Sequence, residues 1–476
     1  MSDPRGFITI ERIENRYRPV EERVHDFNEV ETQLPEDIRR YQAARCMDCG
    51  VAFCHWGCPV GSLIPEWQDK LHHGDWKAAF DILQKTNNFP EFTGRLCPAP
   101  CESSCVLEIN DDSVTIRENE LAVIEHAFNA GYVQPKPPKT RTGKRVAVIG
   151  SGPAGMACAD TLNKIGHSVV LFEAADQVGG LLRYGVPDFK LEKRVIDRRV
   201  DLMRQEGLEI RTNTRVGVDV PAESLLSDFD AVCIAIGARQ PRDLAVPGRE
   251  LDGIYFAMDY LEQQNKVVGG AAVPPDDRIS AKGKHVVVLG GGDTGSDCVG
   301  TANRQGARSV TQIELLPPLP RHRPADQPWP LYARLYKTTS SHEEGCERLY
   351  NLQTQSFVAD KQGRRVKKLV AVEVEWGKTG NGQHELHVVP GSEREIKADL
   401  VLLALGFVHV EQGGLVSDLG LALNPRGSIA VDDQFRTSVE GVFAAGDAHR
   451  GASLIVWAIQ HGRQTAAAMD AYLRGR

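Results

Sequence analysis

Residues 146–155 read VAVIGSGPAG, and this stretch decides the fold of the chain. A short apolar run, rich in β-branched residues, ends in the pattern G-x-G-x-x-G and passes into a segment that suits a helix. Glycines allow the tight turn, and they let backbone N–H groups approach a pyrophosphate at the positive end of that helix. We therefore predict a strand–turn–helix unit that binds a dinucleotide through Gly150, Gly152, Pro153, Ala154 and Gly155.

A second strand-like run, residues 168–172, follows this unit and ends in Glu173. A carboxylate at that position can accept both ribose hydroxyls of a bound dinucleotide. The glycine pattern alone is a weak signal, because an ordinary glycine-rich turn also produces it. The two strands and the terminal acid together favour a nucleotide site.

The same arrangement occurs a second time. Residues 285–289 (HVVVL) lead into residues 290–295 (GGGDTG), and residues 309–313 end in an acid. A carboxylate at this strand end favours a free ribose diol and opposes a 2′-phosphate, so it predicts NADH. Arg321 and Arg323 keep NADPH possible. The predicted second site consists of Gly290, Gly291, Gly292, Asp293, Thr294, Gly295 and Glu314.

Two further segments carry candidate cofactor contacts. Residues 179–187 (GGLLRYGVP) suit close approach to a planar ring, with Gly180, Leu181 and Arg183 as candidates, although a surface loop has a similar composition. Near the C-terminus, residues 441–447 (GVFAAGD) predict a strand that ends in Gly446 and Asp447 ahead of a helix. A carboxylate there can reach ribitol hydroxyls, and helix N–H groups can reach a phosphate. A surface turn is the alternative.

Composition excludes several classes of function. The chain has 476 residues, which is enough for about three domains. A net charge of -8 leaves no basic field for nucleic acid or anionic lipid. Residues 1–7 lack a signal-peptide pattern, and apolar runs such as 400–405 are too short to span a bilayer. We expect a cytoplasmic protein without nucleic-acid or membrane partners.

Cysteine usage is the compositional anomaly. Seven of the eleven cysteines fall between positions 46 and 105, in the groups CMDCGVAFCHWGCP (46–59) and CPAPCESSC (97–105). Clustered cysteines in loops with interposed Gly and Pro favour metal ligation over disulfides, and they suit iron–sulfur clusters. A zinc module is the alternative, but the spacings fit paired C-x-x-C units poorly.

The first group is similar to the bacterial ferredoxin pattern, in which the fourth cysteine, before a proline, binds the other cluster. By that pattern Cys46, Cys49 and Cys54 hold one cluster, and Cys58 belongs to a second. Two four-iron clusters need eight ligands, and seven cysteines are present. Glu118 or Glu120, at the start of a predicted helix, can complete the set, or these acids simply complement the helix dipole. Spacing does not choose between them.

The predicted fold class is α/β, with two Rossmann-like dinucleotide-binding domains and an N-terminal, mainly helical iron–sulfur domain. A proline-rich connector at 134–140 marks a boundary. We expect the iron–sulfur domain at 1–140, with 1–34 as a loosely structured arm. A discontinuous FAD domain covers 141–265 and 405–476, and an inserted NAD(P)H domain covers 266–404.

This combination of motifs resembles the two-dinucleotide-binding flavoprotein disulfide-reductase superfamily, whose first fold holds FAD and whose second holds NAD(P)H. Neither flavin segment contains the C-x-x-C of a redox-active dithiol, so the cysteine-rich domain is the expected electron exit. With that domain included, the chain resembles the small (β) subunit family of glutamate synthase nearly end to end. The residues that carry this resemblance include 46–50 (CMDCG), 88–98 (NFPEFTGRLCP) and 182–190 (LRYGVPDFK).

The resemblance implies FAD, NADH or NADPH, and two 4Fe–4S clusters. One cluster would be held by Cys46, Cys49, Cys54 and Cys105, and the other by Cys58, Cys97, Cys101 and Glu120. It implies an electron-input subunit, part of a hetero-oligomer, whose large (α) subunit makes L-glutamate from L-glutamine and 2-oxoglutarate. No catalytic side-chain set is expected. The alternatives are an input subunit of a ferredoxin:NAD(P) oxidoreductase or of a dihydropyrimidine dehydrogenase, or a non-catalytic, zinc-stabilised scaffold.

Overall fold

A computed structural model of the protein describes residues 3–378 and 384–475. The VAVIGSGPAG stretch lies in a five-stranded parallel sheet, where its strand occupies the centre. Strands buried on both faces by helices read as continuous apolar runs, which is why this strand could be recognised in the sequence. In spatial order the strands are Val442–Ala444, Ala231–Ile234, Arg145–Ile149, Ser168–Phe172 and Glu209–Arg211.

Helices cover this first sheet. The longest belong to the glycine-rich unit and to the C-terminus, and they pack on each other through small residues. The helices are Pro153–Ile165, Leu181–Tyr184, Lys193–Gln205, Ser224–Asp228, Leu415–Asp418, Asp447–Arg450 and Ile455–Arg474.

A second five-stranded sheet contains the second glycine pattern. Its order is Glu347–Leu349, Ser309–Ile313, His285–Leu289, Leu400–Leu403 and Ile254–Phe256, all parallel. The α-helices here are Ala257–Val268, Asp293–Arg304 and Ser340–Glu343, with a 3-10 helix at Pro275–Asp277. An antiparallel sheet adjoins it, formed by Leu352–Ala359, Val366–Lys378, His384–Val388 and Arg394–Lys397.

One boundary differs from the expected domain division. Strand Ile254–Phe256 pairs with Leu400–Leu403 of the second sheet, and helix Ala257–Val268 packs beside it. The expected division places residues up to 265 in the first domain. No glycine-rich turn follows this short strand, so the sequence carries no local signal for the sheet that it joins.

The N-terminal domain is helical. A core that contains Trp67, Leu71, Phe80 and Ile124 lies between its helices. Its elements are helices Gly6–Thr9, Val20–Arg23, Glu36–Ala43, Phe53–Gly57, Ile64–His72, Trp76–Leu83, Pro90–Leu96, Pro100–Ser103 and Ile116–Asn129, a 3-10 helix Val106–Ile109, and a two-stranded pair, Arg16–Tyr17 with Glu31–Thr32.

The expectation of a loosely structured arm at 1–34 was wrong for the part around Arg23. This side chain is 2% exposed. Its guanidinium pairs with Glu343 at 2.9 Å and Glu344 at 2.8 Å, and it donates to the Ser340 carbonyl at 2.8 Å. The arm therefore packs against the second dinucleotide domain. Its partners lie more than 300 positions away, so local composition could not reveal them.

Among the helices that the structure describes, none combines the length and the apolar character needed to cross a membrane.

Candidate functional site

The first glycine-rich turn has the geometry that a dinucleotide needs. Gly150 adopts a left-handed φ of 99°. A Cβ at Gly155 would lie 1.8 Å from the Gly150 carbonyl oxygen, so only glycine fits where the helix starts. A Cβ at Gly152 would meet nothing within 4 Å. The start of helix Pro153–Ile165 is therefore open on the side where a pyrophosphate would bind.

Glu173 is held beside this turn. Its carboxylate accepts hydrogen bonds from the backbone N–H of Ser151 at 3.1 Å and of Ala175 at 2.8 Å, and from the Ser151 hydroxyl. The same hydroxyl accepts from the N–H of Gly179 at 3.0 Å. Ser151 thus ties the predicted ribose acceptor to the segment that follows it.

The segment 179–184 approaches the turn directly. Gly180 has a φ of 53°, and a Cβ there would lie 2.9 Å from the Cα of Gly152. Leu181 begins the short helix Leu181–Tyr184. Arg183 donates to the Val178 carbonyl at 2.6 Å and pairs with Asp197, so in this structure it braces the segment internally.

The closing segment joins the same edge. A Cβ at Gly446 would lie 2.6 Å from the Cβ of Ala154, and one at Gly462 would lie 2.2 Å from the Ala154 carbonyl. Asp447 accepts a hydrogen bond from the Ser453 hydroxyl at 2.7 Å, and burial raises its pKa to about 6. The structure therefore brings the residues predicted for the first site together at one sheet edge.

The second glycine-rich turn repeats this backbone geometry. Gly290 has a φ of 117°, and a Cβ there would lie 2.2 Å from the Ala404 carbonyl. Gly295 would place a Cβ 2.3 Å from the Gly290 carbonyl. Glu314 accepts from the N–H of Gly291 at 2.5 Å and of Leu316 at 3.1 Å. The remaining predicted residues lie where the turn meets the helix: Gly292 and Asp293 are exposed, and Thr294 is half-buried.

Sequence reasoning missed two side chains that support this second turn. The Gln312 side-chain N–H donates to the Gly290 carbonyl at 2.8 Å. Its Oε1 lies 2.8 Å from Nε2 of His342. Nδ1 of His342 accepts from the N–H of Thr339 at 3.2 Å. Burial lowers the pKa of His342 to about 4, so the ring is neutral and Nε2–H can donate. Polar residues in the strand Ser309–Ile313 were the available signal, and they did not indicate His342.

The two arginines that kept NADPH possible have different surroundings. Arg323 donates to the carbonyls of Leu331 at 2.6 Å, Gln327 at 3.2 Å and Ser103 at 3.0 Å, so its guanidinium is used within the protein. Arg321 is exposed and lies over the Tyr336 ring. Of the two, Arg321 has the freer guanidinium.

Four cysteines line one cavity in the N-terminal domain. They come from both sequence groups and are accompanied by apolar side chains such as Phe53 and Leu107. Burial, with smaller contributions from neighbouring cysteines, raises the pKa of Cys46 to about 12. Several thiolates in such a site need a cationic partner, and an iron–sulfur cluster supplies one. The four are Cys46, Cys49, Cys54 and Cys105.

Within residues 3–378 and 384–475, no group of three or more His, Cys, Asp or Glu side chains is arranged around a single metal ion.

The other three cysteines lie together with Glu120. Burial, with a smaller contribution from the Glu120 carboxylate, raises the pKa of Cys58 to about 11, and that carboxylate also acts on Cys97 and Cys101. Burial raises the pKa of Glu120 itself to about 7. It accepts hydrogen bonds from the hydroxyl of Thr93 and, at 3.4 Å, from the amide of Asn87.

Glu118 has a different environment. Its carboxylate pairs with Arg39 at 3.1 Å and accepts from the N–H of Asn15 at 2.8 Å. Both partners belong to the N-terminal domain. Of the two acids, Glu120 is the one whose carboxylate acts on Cys58, Cys97 and Cys101.

The two cysteine groups differ in the cores that they contact. Cys58 and Cys97 pack against the hydrophobic core that includes Ala154 and Met156 of the first dinucleotide domain. The core of the N-terminal domain contains Cys46 and Cys101, and Cys54, Cys58 and Cys105 pack against it. The group with Glu120 thus contacts both cores, through Cys58.

Comparisons with known proteins agree with this architecture. A family model described as pyridine nucleotide-disulphide oxidoreductase matches residues 144–462, and one described as dihydropyrimidine dehydrogenase domain II, 4Fe-4S cluster, matches residues 23–132. FprA from Mycobacterium tuberculosis, solved with NADPH, superimposes with a TM-score of 0.55 over 71% of this chain and 85% of that chain. At 18% identity this likeness shows the fold alone.

Sequence relatives are closer. The chain is 52% identical to the glutamate synthase (NADPH) small chain of M. tuberculosis H37Rv over 100% of this chain and 97% of the relative. It is 46% identical to the corresponding small chain of Bacillus subtilis over 100% and 99%. It is 45% identical to glutamate synthase (NADH) of Schizosaccharomyces pombe over 99% of this chain and 23% of that longer protein. The chain therefore belongs to the glutamate synthase small-chain family.

Proposed function

We propose that this chain is the electron-input subunit of a glutamate synthase. It oxidises NADH or NADPH and delivers the electrons to a large subunit that forms L-glutamate from L-glutamine and 2-oxoglutarate. When bound, FAD accepts a hydride from the nicotinamide and iron–sulfur clusters carry single electrons. The observation that carries this proposal is the position of Cys58 and Cys97, which pack against the core of the first dinucleotide domain.

The protein's own residues position and shield these groups. In the first domain, Gly150, Gly152 and Gly155 would make room for the pyrophosphate of FAD, and Glu173, held by the Ser151 N–H, would accept its ribose hydroxyls. Asp447, at the start of helix Asp447–Arg450, is placed for the ribitol chain. In the second domain, Gln312 and His342 hold the turn to which NAD(P)H binds.

For the clusters we propose two 4Fe–4S centres. Cys46, Cys49, Cys54 and Cys105 would hold the one in the cavity. The second set is supported by the shared electrostatic environment of its members, and by the separate ion pair that engages Glu118. It consists of Cys58, Cys97, Cys101 and Glu120.

For the nucleotide we propose a preference for NADH. The Glu314 carboxylate is fixed by two backbone N–H groups, as Glu173 is in the first domain, and a fixed carboxylate opposes a 2′-phosphate. Arg323 is occupied by three carbonyls. Relatives named for NADPH and for NADH both match this chain at 45% identity or above, so relatedness does not decide the preference.

The proposed assembly is a cytoplasmic hetero-oligomer with the large subunit. The test uses purified chain, alone and reconstituted with that subunit, and measures FAD, iron, acid-labile sulfide and glutamine-dependent glutamate formation with each nucleotide. We expect all three cofactor components and faster turnover with NADH. Faster turnover with NADPH would contradict the nucleotide preference, and failure to form glutamate with any large subunit would contradict the assembly.

A matched pair of cysteine variants tests the electron route. Cys97→Ser is expected to lower iron content and abolish glutamate formation, while nucleotide-driven reduction of a two-electron dye continues. Cys346→Ser, in the second dinucleotide domain, should leave iron content and glutamate formation unchanged. Equal iron content and equal glutamate formation in the two variants would contradict the proposed electron route.

One alternative has a specific observation behind it, because a family model named for dihydropyrimidine dehydrogenase matches the N-terminal domain. That match covers residues 23–132, whereas the glutamate synthase relatives cover the whole chain. Assays with ferredoxin and with a pyrimidine as electron acceptor separate these functions. Activity with ferredoxin or with a pyrimidine, without glutamate formation, would favour the alternative.

A further inference from the structure

A loop of the second dinucleotide domain leaves its own domain and lies on the cysteine-rich domain. This bridging loop, residues 317–336, connects strand Ser309–Ile313 to helix Ser340–Glu343. Arg323 donates to the Ser103 carbonyl at 3.0 Å, and the Ser104 hydroxyl donates to the Pro330 carbonyl at 2.8 Å. The loop is therefore attached to the segment that ends in Cys105.

Trp329 makes the contact closest to a proposed cluster ligand. Its indole N–H donates to the backbone carbonyl of Cys105 at 3.1 Å. Its ring packs on Phe53, with centroids 4.6 Å apart. Phe53 lines the cysteine cavity and precedes Cys54 in the chain. One indole thus contacts two parts of the cavity wall.

We propose that Trp329 is a positioning residue for the iron–sulfur centre in this cavity, supplied by the nucleotide-binding domain. This inference rests on the proposed function, because it assumes that Cys46, Cys49, Cys54 and Cys105 hold a cluster. Hydrogen-bond dipoles and solvent exposure around a cluster set its reduction potential. Trp329 contributes both, because its N–H dipole faces the Cys105 carbonyl and its ring covers Phe53.

Loss of the N–H donor and loss of the ring that covers the wall are expected to shift the reduction potential in opposite directions. Reduction adds negative charge to the cluster, so loss of the positive end of an N–H dipole makes reduction less favourable. Entry of water stabilises the more charged, reduced form and makes reduction more favourable. Trp329→Phe removes the donor and keeps an aromatic ring, whereas Trp329→Ala also opens the wall.

The experiment is a redox titration of the αβ holoenzyme followed by electron paramagnetic resonance. The signal that is lost in Cys105→Ser identifies the centre in the cavity. We expect its midpoint potential to become more negative in Trp329→Phe than in the unaltered protein, and to be more positive in Trp329→Ala than in Trp329→Phe, with the second cluster unshifted. Trp376→Phe is the matched control, because its indole donates to the Leu315 carbonyl at the same 3.1 Å distance but in the antiparallel sheet.

The outcomes separate the two proposals. Unshifted potentials in both Trp329 variants, at full iron content, would overturn the role of Trp329 and leave the proposed function intact. If Trp329→Ala loses iron, the midpoint potential of Trp329→Phe alone tests the role of Trp329, because this variant preserves the packing on Phe53. Absence of iron–sulfur signals from the unaltered protein would overturn the proposed function instead.

Discussion

The two glycine-rich turns have the same backbone geometry in different surroundings. Gly150 and Gly290 have φ values of 99° and 117°, and in each copy a strand-end glutamate accepts the N–H of the residue that follows this glycine. The first turn is covered on its helix side by the C-terminal segment, which packs on Ala154, and is open at Gly152. The second leaves Gly292 and Asp293 exposed. A covered turn suits a resident cofactor, and an exposed one suits a nucleotide that must exchange.

The largest effect is expected from Gly155→Ala. The new Cβ would meet the Gly150 carbonyl oxygen at 1.8 Å, and backbone atoms on both sides cannot yield. We expect loss of FAD from the purified protein and destabilisation at or above the ~1–3 kcal/mol typical of overpacking. Flavin absorbance and thermal unfolding measure both. Gly413→Ala, where a Cβ meets nothing within 4 Å, should retain the flavin. Retained flavin in Gly155→Ala would contradict the assignment of the first turn to FAD.

The corresponding change in the second turn, Gly295→Ala, should separate the two sites. Its Cβ would lie 2.3 Å from the Gly290 carbonyl and 2.7 Å from the Gln312 amide. We expect FAD to remain bound, and the rate of its reduction by NAD(P)H to fall about a hundredfold, equivalent to ~2.7 kcal/mol. Stopped-flow absorbance measures this rate, and dithionite reduction of the same sample is the control. Loss of flavin from this variant would contradict the assignment of FAD to the first turn and of NAD(P)H to the second.

Many of the features shared by the two turns could be predicted from the sequence. The turns, the acids Glu173 and Glu314, and the closing Gly446–Asp447 each follow from a local backbone requirement that restricts the residue type. The cysteine groups were recognisable for the same reason, since ligand chemistry limits which residues can occupy those positions.

The parts that could not be predicted depend on contacts between distant segments. Trp329 is 224 positions from Cys105, and His342 is 30 positions from Gln312. Neither residue belongs to a ligand motif, so neither is marked locally as part of a site. In the sequence, Arg23 resembles an ordinary solvent-exposed charged residue. Its ion pairs with Glu343 and Glu344 are visible only in the structure.

His342 gives the second turn a sensitivity to acid. Its pKa is lowered by burial from 6.5 to about 4, so folding favours the neutral ring. The stabilisation is complete above pH ~6.5 and is lost as the pH falls towards 4, because the unfolded chain then binds the proton more readily. Between pH 6.5 and 5 the loss amounts to about 2 kcal/mol.

His342→Gln should remove this dependence. Its amide can still donate to Gln312, but it does not titrate, so the stability difference between variant and unaltered protein should shrink as the pH falls from 6.5 to 5. Thermal unfolding across this range measures the difference. Because His449 and His461 have pKa values lowered in the same direction, the unaltered protein measured in parallel is the necessary reference. Parallel curves for the two proteins would contradict a neutral His342 in the folded state.

The smallest effect is expected where the two turns are most alike, at their glutamates. Glu314→Gln keeps an acceptor for the N–H of Gly291 but removes the negative charge that opposes a 2′-phosphate. We expect the ratio of kcat/KM for NADH to that for NADPH to fall about tenfold, equivalent to ~1.4 kcal/mol, with FAD content unchanged. Glu347→Gln, on the neighbouring strand Glu347–Leu349, is the control and should leave the ratio unchanged. An unchanged ratio in Glu314→Gln would mean that nucleotide preference is set by groups beyond the strand end, and Arg321 above the Tyr336 ring would then be the next position to substitute.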